Sequence, residues 1–444
     1  MIGGTNKGRS IALGIVAAGL AYGGAGSATQ AADFAGGAYA DLEERIAELE
    51  ATTARKGNRK VGLTITGNVN QALFWWDDGF EDNVYVQTGE SNPTKVRFHG
   101  DATIAQGWKA GYILELGVSA TRQDKLSQND PTGTGTGLSV RHSTWYIDSK
   151  NLGRVWVGHT SDAADGILEI NLANTGHFAN SQVSQWFGDG GSGFFLRGAN
   201  GALSGARLGH LVVPGGGGTP DGHRFNLVKY ETPTIAGFKA SAAWGEDDLW
   251  NVALRYAGEH AGFKFAAGIA YSETSDSVGN GRRGLVLASV PDQDVNELGL
   301  SASLLHEPTG LFLTGAYGQV EDNNASRAGF DGDTDFYFIQ AGIERKWFPL
   351  GATTLYGEYF SLDRGAAVNG GNIVQLNGLG IGGDTSIVGS ELEGWGLGVN
   401  QNLNGAIDVY LAYRHLSVDV SLANGVNPAL EDFDFILGGA NIKF

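Results

Sequence analysis

The chain ends on the stretch DFDFILGGANIKF, residues 432–444. Read back from the terminus, Phe444, Ile442, Ala440, Gly438 and Ile436 share one face, while Lys443, Asn441 and Gly439 share the other. That alternation is the period of a β-strand. A strand with one apolar face needs a partner on each edge. The most economical partner for its free edge is the first strand of the same chain, because closure alone leaves no unpaired backbone groups in lipid.

The preceding residues supply the remaining staves. Val61, Leu63, Ile65, Val69, Leu73 and Trp75 oppose Thr64, Thr66, Asn68 and Asn70, and Val96, Phe98, Ala102 and Ile104 oppose Lys95, Arg97, His99, Asp101 and Thr103. Further strands are expected near 108–119, 138–148, 153–159, 223–231, 237–245, 249–256, 263–271, 295–306, 310–318, 335–345, 353–360, 391–401, 406–415 and 432–444. This predicts an all-β fold, a 16-stranded antiparallel transmembrane barrel over 60–444, the even count placing both ends on one side. Short links, such as 105–107, 307–309 and 403–405, alternate with long ones rich in Gly, Asn and Asp. Short turns on one rim and long loops on the other fit the same architecture, and no fixed repeat indicates a solenoid.

Composition agrees. Glycine is abundant, 71 of 444 residues, and proline scarce at 9. Glycine suits strands that curve and pack closely. There is no cysteine, which excludes a disulfide framework and thiolate metal sites. A net charge of −18 argues against a nucleic-acid partner, whose phosphates need a basic face. Mean hydropathy near zero does not signal a soluble protein here, since alternating faces average out.

At the amino end, Lys7 and Arg9 precede the apolar run Ile11 to Leu20 and a small-residue stretch to Ala32. The run is too short to span a bilayer, so residues 1–31 read as a cleaved signal peptide. Over 32–59, Tyr39, Leu42, Ile46, Leu49 and Thr53 keep the spacing of a coiled-coil seam. Two heptads are too few to be stable alone, so the helix is expected to serve a short periplasmic bundle beneath an assembled barrel. Arg55, Lys56, Arg59 and Lys60 follow as a basic collar.

The connection Thr160 to Gly222 after the fifth strand is far longer than a turn needs, and loops of that length usually have a function. A helical turn is expected over Ala163 to Ile170. Trp186, Phe187, Phe194, Phe195 and Leu196 are too many large apolar groups for a solvated flap. They should pack against the barrel interior.

With the first strand Val61 to Trp75, this long loop, the segment Tyr230-Glu231-Thr232-Pro233 followed by Gly237-Phe238, and the terminal Phe444 in view, the chain resembles the trimeric general porins of Gram-negative bacteria, most like those of alphaproteobacteria. The resemblance covers about Lys60 to the end. It implies an outer-membrane channel, not an enzyme, for passive diffusion of small hydrophilic solutes and ions. It also implies a homotrimer set in lipid and lipopolysaccharide, and a constriction formed by residues 160–222. The periplasmic helix departs from the best-known porins, and peptidoglycan is its candidate partner.

In such a barrel Lys95, Arg97, Lys109 and Arg154 point inward, and Arg141 is assigned with them although its strand is harder to phase. Asp162, Asp165 and Glu169, with Asp189 further on, belong to the loop. Facing walls of opposite sign would set a transverse field across a narrow aqueous gap. Glu115, Glu297, Glu344 and Glu358 also read as inward, so the sign of selectivity stays open. Trp75, Trp108, Tyr112, Trp244, Tyr256, Tyr271 and Tyr413 read as an outer aromatic girdle. His99, His142 and His159 show no metal-ligand spacing, and no cofactor is expected; Asp331, Asp333 and Asp335 are the candidate loop ligands for Ca²⁺. The rival readings are a substrate-selective channel and a structural protein tethering the outer membrane to the cell wall.

Overall fold

The computed structural model describes residues 61–133, 137–188, 191–212, 223–245, 248–275, 285, 293–369 and 371–444. The expected signal peptide, the helix over 32–59 and Asp189 lie outside the described residues. In chain order the strands are β1 (Thr64–Asp77), β2 (Asp82–Thr88), β3 (Lys95–Ala105), β4 (Trp108–Ser119), β5 (Gly137–Ser149), β6 (Gly153–Ser161), β7 (Phe195–Arg197), β8 (Leu203–Arg207), β9 (Arg224–Glu231), β10 (Phe238–Gly245) and β11 (Leu249–His260). They continue with β12 (Phe263–Thr274), β13 (Val295–His306), β14 (Leu311–Asp322), β15 (Asp333–Phe348), β16 (Gly351–Arg364), β17 (Val368–Asn369), β18 (Asn372–Ile373), β19 (Ile387–Leu403), β20 (Ile407–Leu422) and β21 (Phe433–Lys443).

The main sheet joins 17 of these strands. Because β2 and β3 pair in succession with the two halves of β1, they share one position and the wall has sixteen. The terminal stretch closes it. β21 pairs with β1 from Asn68↔Lys443 to Asp77↔Asp434, and Gly67 and Phe444 exchange two backbone hydrogen bonds of 2.8 and 3.0 Å. No helix among the described residues is long and apolar enough to cross a membrane. The crossing elements are strands.

Alternation decides which side chain meets which solvent. Ile65, Val69 and Leu73 are exposed on the outer wall, as are Ile436 and Ile442, whereas Asn68, Asn70 and Asn441 are buried inside. On one rim the strands join through tight turns: Ala236-Gly237, Ala261-Gly262 and Asn404-Gly405 all have positive φ at both residues. That is the geometry whose twist matches a two-residue hairpin.

Several inward-facing residues are large and apolar, contrary to the simplest reading of the alternation. Phe74, Trp76, Phe435 and Phe360 are at most 2% exposed, because residues 162–188 and 191–212 fold into the lumen and cover them. This inserted segment supplies Phe178, Trp186, Phe187 and Phe194, also at most 2% exposed. Phe178 stacks on Tyr410 at 4.5 Å, and Phe194 lies 5.1 Å from Trp76. Each such ring contributes about 1.5–3 kcal/mol by leaving water. The hydrophobic core of the protein therefore sits inside the barrel, against one side of its wall. The helical turn expected over 163–170 is instead a series of turns, with Gly166 at φ +75°, and short helical turns form at Ser184–Phe187 and Leu208–Leu211.

Candidate functional site

The inserted segment follows the inner wall through successive polar contacts. Arg255 on β11 donates to the carbonyls of Ala163 and Asp165 at 2.9 and 2.6 Å. Ser301 on β13 donates to the Ile167 carbonyl. Gln340 on β15 accepts from Thr175 and donates to the Ala179 carbonyl, at 2.7 and 3.0 Å. Asn174 donates its backbone N–H to Glu344 on β15 and its side chain to Asp408 on β20, both at 2.9 Å. Asn70 on β1 donates to the His177 carbonyl at 3.3 Å. At Gly268 on β12 a Cβ would fall 2.7 Å from the end of the Ile170 side chain and 2.8 Å from that of Ile167, so these two side chains pack directly against the strand backbone there.

Coverage from β11 round to β1 leaves the opposite side, β3 to β9, facing a cavity of about 470 Å³. Lys95, Arg141 and Arg224 line it from the wall, and Asp165, Glu169, His177 and Gln185 from the inserted segment. Arg141 reaches the lumen because of a register shift. Glu115 pairs with His142 and Leu116 with Val140, which leaves Arg141 as an extra residue in β5. A bulge of this kind reverses the phase of the strand beyond it, which is why simple alternation phased it poorly. Its Nε donates to Glu115 at 2.8 Å, and Arg97 donates to the other carboxylate oxygen at 2.5 Å.

The eight residues singled out from the sequence separate. Lys95, Arg141, Asp165 and Glu169 line the cavity; Arg97, Lys109, Arg154 and Asp162 are not among its lining residues. Arg97 is paired with the buried Glu115. Lys109 and Arg154 sit beside the short-turn rim, paired with Asp101 at 3.4 Å and Asp148 at 2.9 Å. Asp162 is buried and accepts the backbone N–H groups of Ala164 and Asp165, both at 2.9 Å, so it shapes the entry of the segment instead of facing water.

The sequence reading missed Glu90, Arg122, Asp124 and Arg224. Arg122 forms two hydrogen bonds to Asp124, 3.0 and 2.8 Å, and lies 3.5 Å from Glu90. Arg224 lies 3.8 Å from Asp165. Glu90 and Asp124 come from aperiodic loops, where alternation carries no signal. Burial pushes the carboxyls of Glu90 and Glu169 up to about 7, with Asp124 adding to the first and Asp165 to the second.

Of the four glutamates expected to face inward, Glu115 holds Arg97 and Arg141, and two more hold the inserted segment or its anchor. Glu344 receives the Asn174 N–H, and Glu358 pairs with Arg414 at 2.6 Å beneath the segment. The outer aromatics stand on the lipid-facing side, Trp244 at 59% exposure among them. Asp335 takes the Tyr317 hydroxyl at 2.7 Å, and among the described residues no three His, Asp or Glu side chains are grouped to hold a metal. The cavity is thus walled by charged side chains of both signs.

Comparison with known structures places the fold among bacterial porins. An anion-selective porin from Comamonas acidovorans superposes with a TM-score of 0.53 at 16% identity, covering 86% of this chain and 100% of that one. OmpT, an outer membrane protein of Vibrio cholerae, superposes with a TM-score of 0.50 at 13% identity, covering 88% and 100%. Comparison with curated proteins found no match. The family model described as Gram-negative porin matches residues 17–421. With sixteen wall positions, an apolar exterior and a charged lumen, the chain belongs to the Gram-negative porin family and forms an outer-membrane channel for passive diffusion of solutes.

Proposed function

We propose that this porin is a general, homotrimeric one whose narrowest passage lies between the basic residues Lys95, Arg141 and Arg224 and the acidic residues Asp165 and Glu169. The observation that carries this reading is the one-sided packing of residues 162–188 and 191–212, which leaves a cavity of about 470 Å³ with charged walls. Solutes pass by diffusion, ordered by the field between the walls and not by a fixed set of ligand contacts. Arg97 supports the basic side through Glu115. Trimerisation is supported by the seam Tyr39, Leu42, Ile46 and Leu49, which needs several copies to bury itself. A cleaved signal over 1–31, contact of the girdle with lipid and lipopolysaccharide, and contact of the helix over 32–59 with peptidoglycan complete the proposal.

Liposome swelling with a size series of uncharged sugars tests it. Rates falling smoothly with solute size and linear in concentration are expected. Saturation by one solute would favour the selective-channel reading, for which the small cavity volume is the supporting observation. A monomeric mass in mild detergent without heating would oppose the trimer.

A further inference from the structure

We propose that residues 89–94 form a second constricting segment, so that the passage through this barrel is bounded by two insertions into the lumen instead of one. The inference rests on the pore reading above and deepens it.

The segment arises from a break in the wall. Thr64–Asn68 of β1 pair with β3, and Gln71–Asp77 pair with β2, so Val69 and Asn70 have no ladder partner on that side. Between β2 and β3 the chain leaves the sheet for six residues. A direct continuation would have kept the ladder intact, so the excursion costs hydrogen bonds that must be replaced.

They are replaced from inside the barrel. Asn68 and Asn70 are lumen-facing and at most 4% exposed. Both side-chain amides donate to the Asn92 carbonyl, at 3.3 and 3.1 Å, and Asn68 also donates to the Pro93 carbonyl at 3.3 Å. The Asn70 N–H donates to the Thr94 hydroxyl at 3.0 Å. Because the anchoring side chains project inward, the segment they hold lies on the lumen side of the wall. Asn70 also donates to the His177 carbonyl at 3.3 Å and accepts from the Tyr410 hydroxyl at 2.7 Å, so one side chain joins both insertions.

The segment then faces the solute. Glu90, Ser91, Asn92 and Pro93 line the same cavity as Asp165 and Glu169. The Asn92 side chain receives Lys95 Nζ at 2.7 Å, which fixes the position of one of the cavity's cations. Glu90 stands beside Arg122. Residues 89–94 therefore narrow the passage and set part of its charge. They are specificity-determining residues for permeation.

The natural chain has no cysteine, so a single introduced thiol reports unambiguously. Ser91→Cys in the full-length trimeric protein, inserted in a planar bilayer, is treated with a membrane-impermeant charged methanethiosulfonate. Stepwise loss of current as each protomer reacts is the expected result. Asn424→Cys, in an exposed turn, should react without loss. If Ser91→Cys is modified with no change in current, or is never modified, the segment does not border the passage and the inference fails. A parallel Glu169→Cys separates the two readings. Block at Glu169→Cys alone keeps the pore reading and removes the second constriction, and block at neither removes both.

Discussion

Arg414 Nε lies 2.6 Å from Glu358 Oε1, both side chains 1% exposed, with the guanidinium 3.7 Å from the Trp186 ring centre. The same guanidinium donates to the Phe178 carbonyl at 3.1 Å. One buried ion pair on the barrel wall thus holds the inserted segment by its charge, its backbone and its largest ring. Arg414→Leu should destabilise the protein by about 3–5 kcal/mol, because Glu358 is left charged in a closed site. The paired variant Arg414→Leu with Glu358→Leu should recover most of that loss. Denaturant unfolding of both variants checks the relation; equal losses would contradict it.

Phe178 is 2% exposed and stacked on Tyr410. Phe178→Ala should cost about 3–5 kcal/mol, the range for deleting a buried aromatic ring. It should also broaden the distribution of single-channel conductances, since the segment loses its central contact with the wall. A stable variant with wild-type conductance would show that the ring does not hold the passage.

Charge removal should act by place and not by type. Arg141→Gln, at the cavity, should move ion preference toward cations. Arg154→Gln, beside the short-turn rim and paired with Asp148, should leave it nearly unchanged. Reversal potentials under a salt gradient separate the two, and equal shifts would mean that the cavity is not the selective region.

Selectivity should depend on pH near neutrality. Glu90 and Glu169 lie outside the membrane-spanning strands, and burial raises both to about 7. Below that pH both are neutral, leaving Lys95, Arg122, Arg141 and Arg224 against Asp124 and Asp165, a net positive lining that favours anions. Above it both ionise and the lining approaches neutrality, so anion preference should fall as pH rises from about 5.5 to about 7.5. Glu90→Gln with Glu169→Gln should flatten the profile. A wild-type profile already flat would contradict the assignment.

The barrel was legible in the sequence because lipid outside and water inside impose a period of two that survives residue by residue, as in Val96 to Ile104 and Ile436 to Phe444. What the period cannot carry was lost. At Arg141 a bulge resets the phase, and Phe74, Trp76 and Phe435 look like misplaced outer residues until the inserted segment covers them. Glu90 and Asp124 lie on aperiodic chain, and whether a charge such as Arg154 reaches the cavity or the rim depends on height along a tilted strand. The aromatic content of residues 186–196 did announce a packed loop, because such groups cannot remain in water.

Single-channel recording of the mature protein in a planar bilayer, with the reversal potential taken under a salt gradient, shows whether the barrel is an open, charge-lined pore. A water-filled passage bounded by fixed charges predicts ohmic steps, grouped in threes, that no single small solute blocks. Absence of steps, or small steps closed by one solute at low concentration, would contradict it.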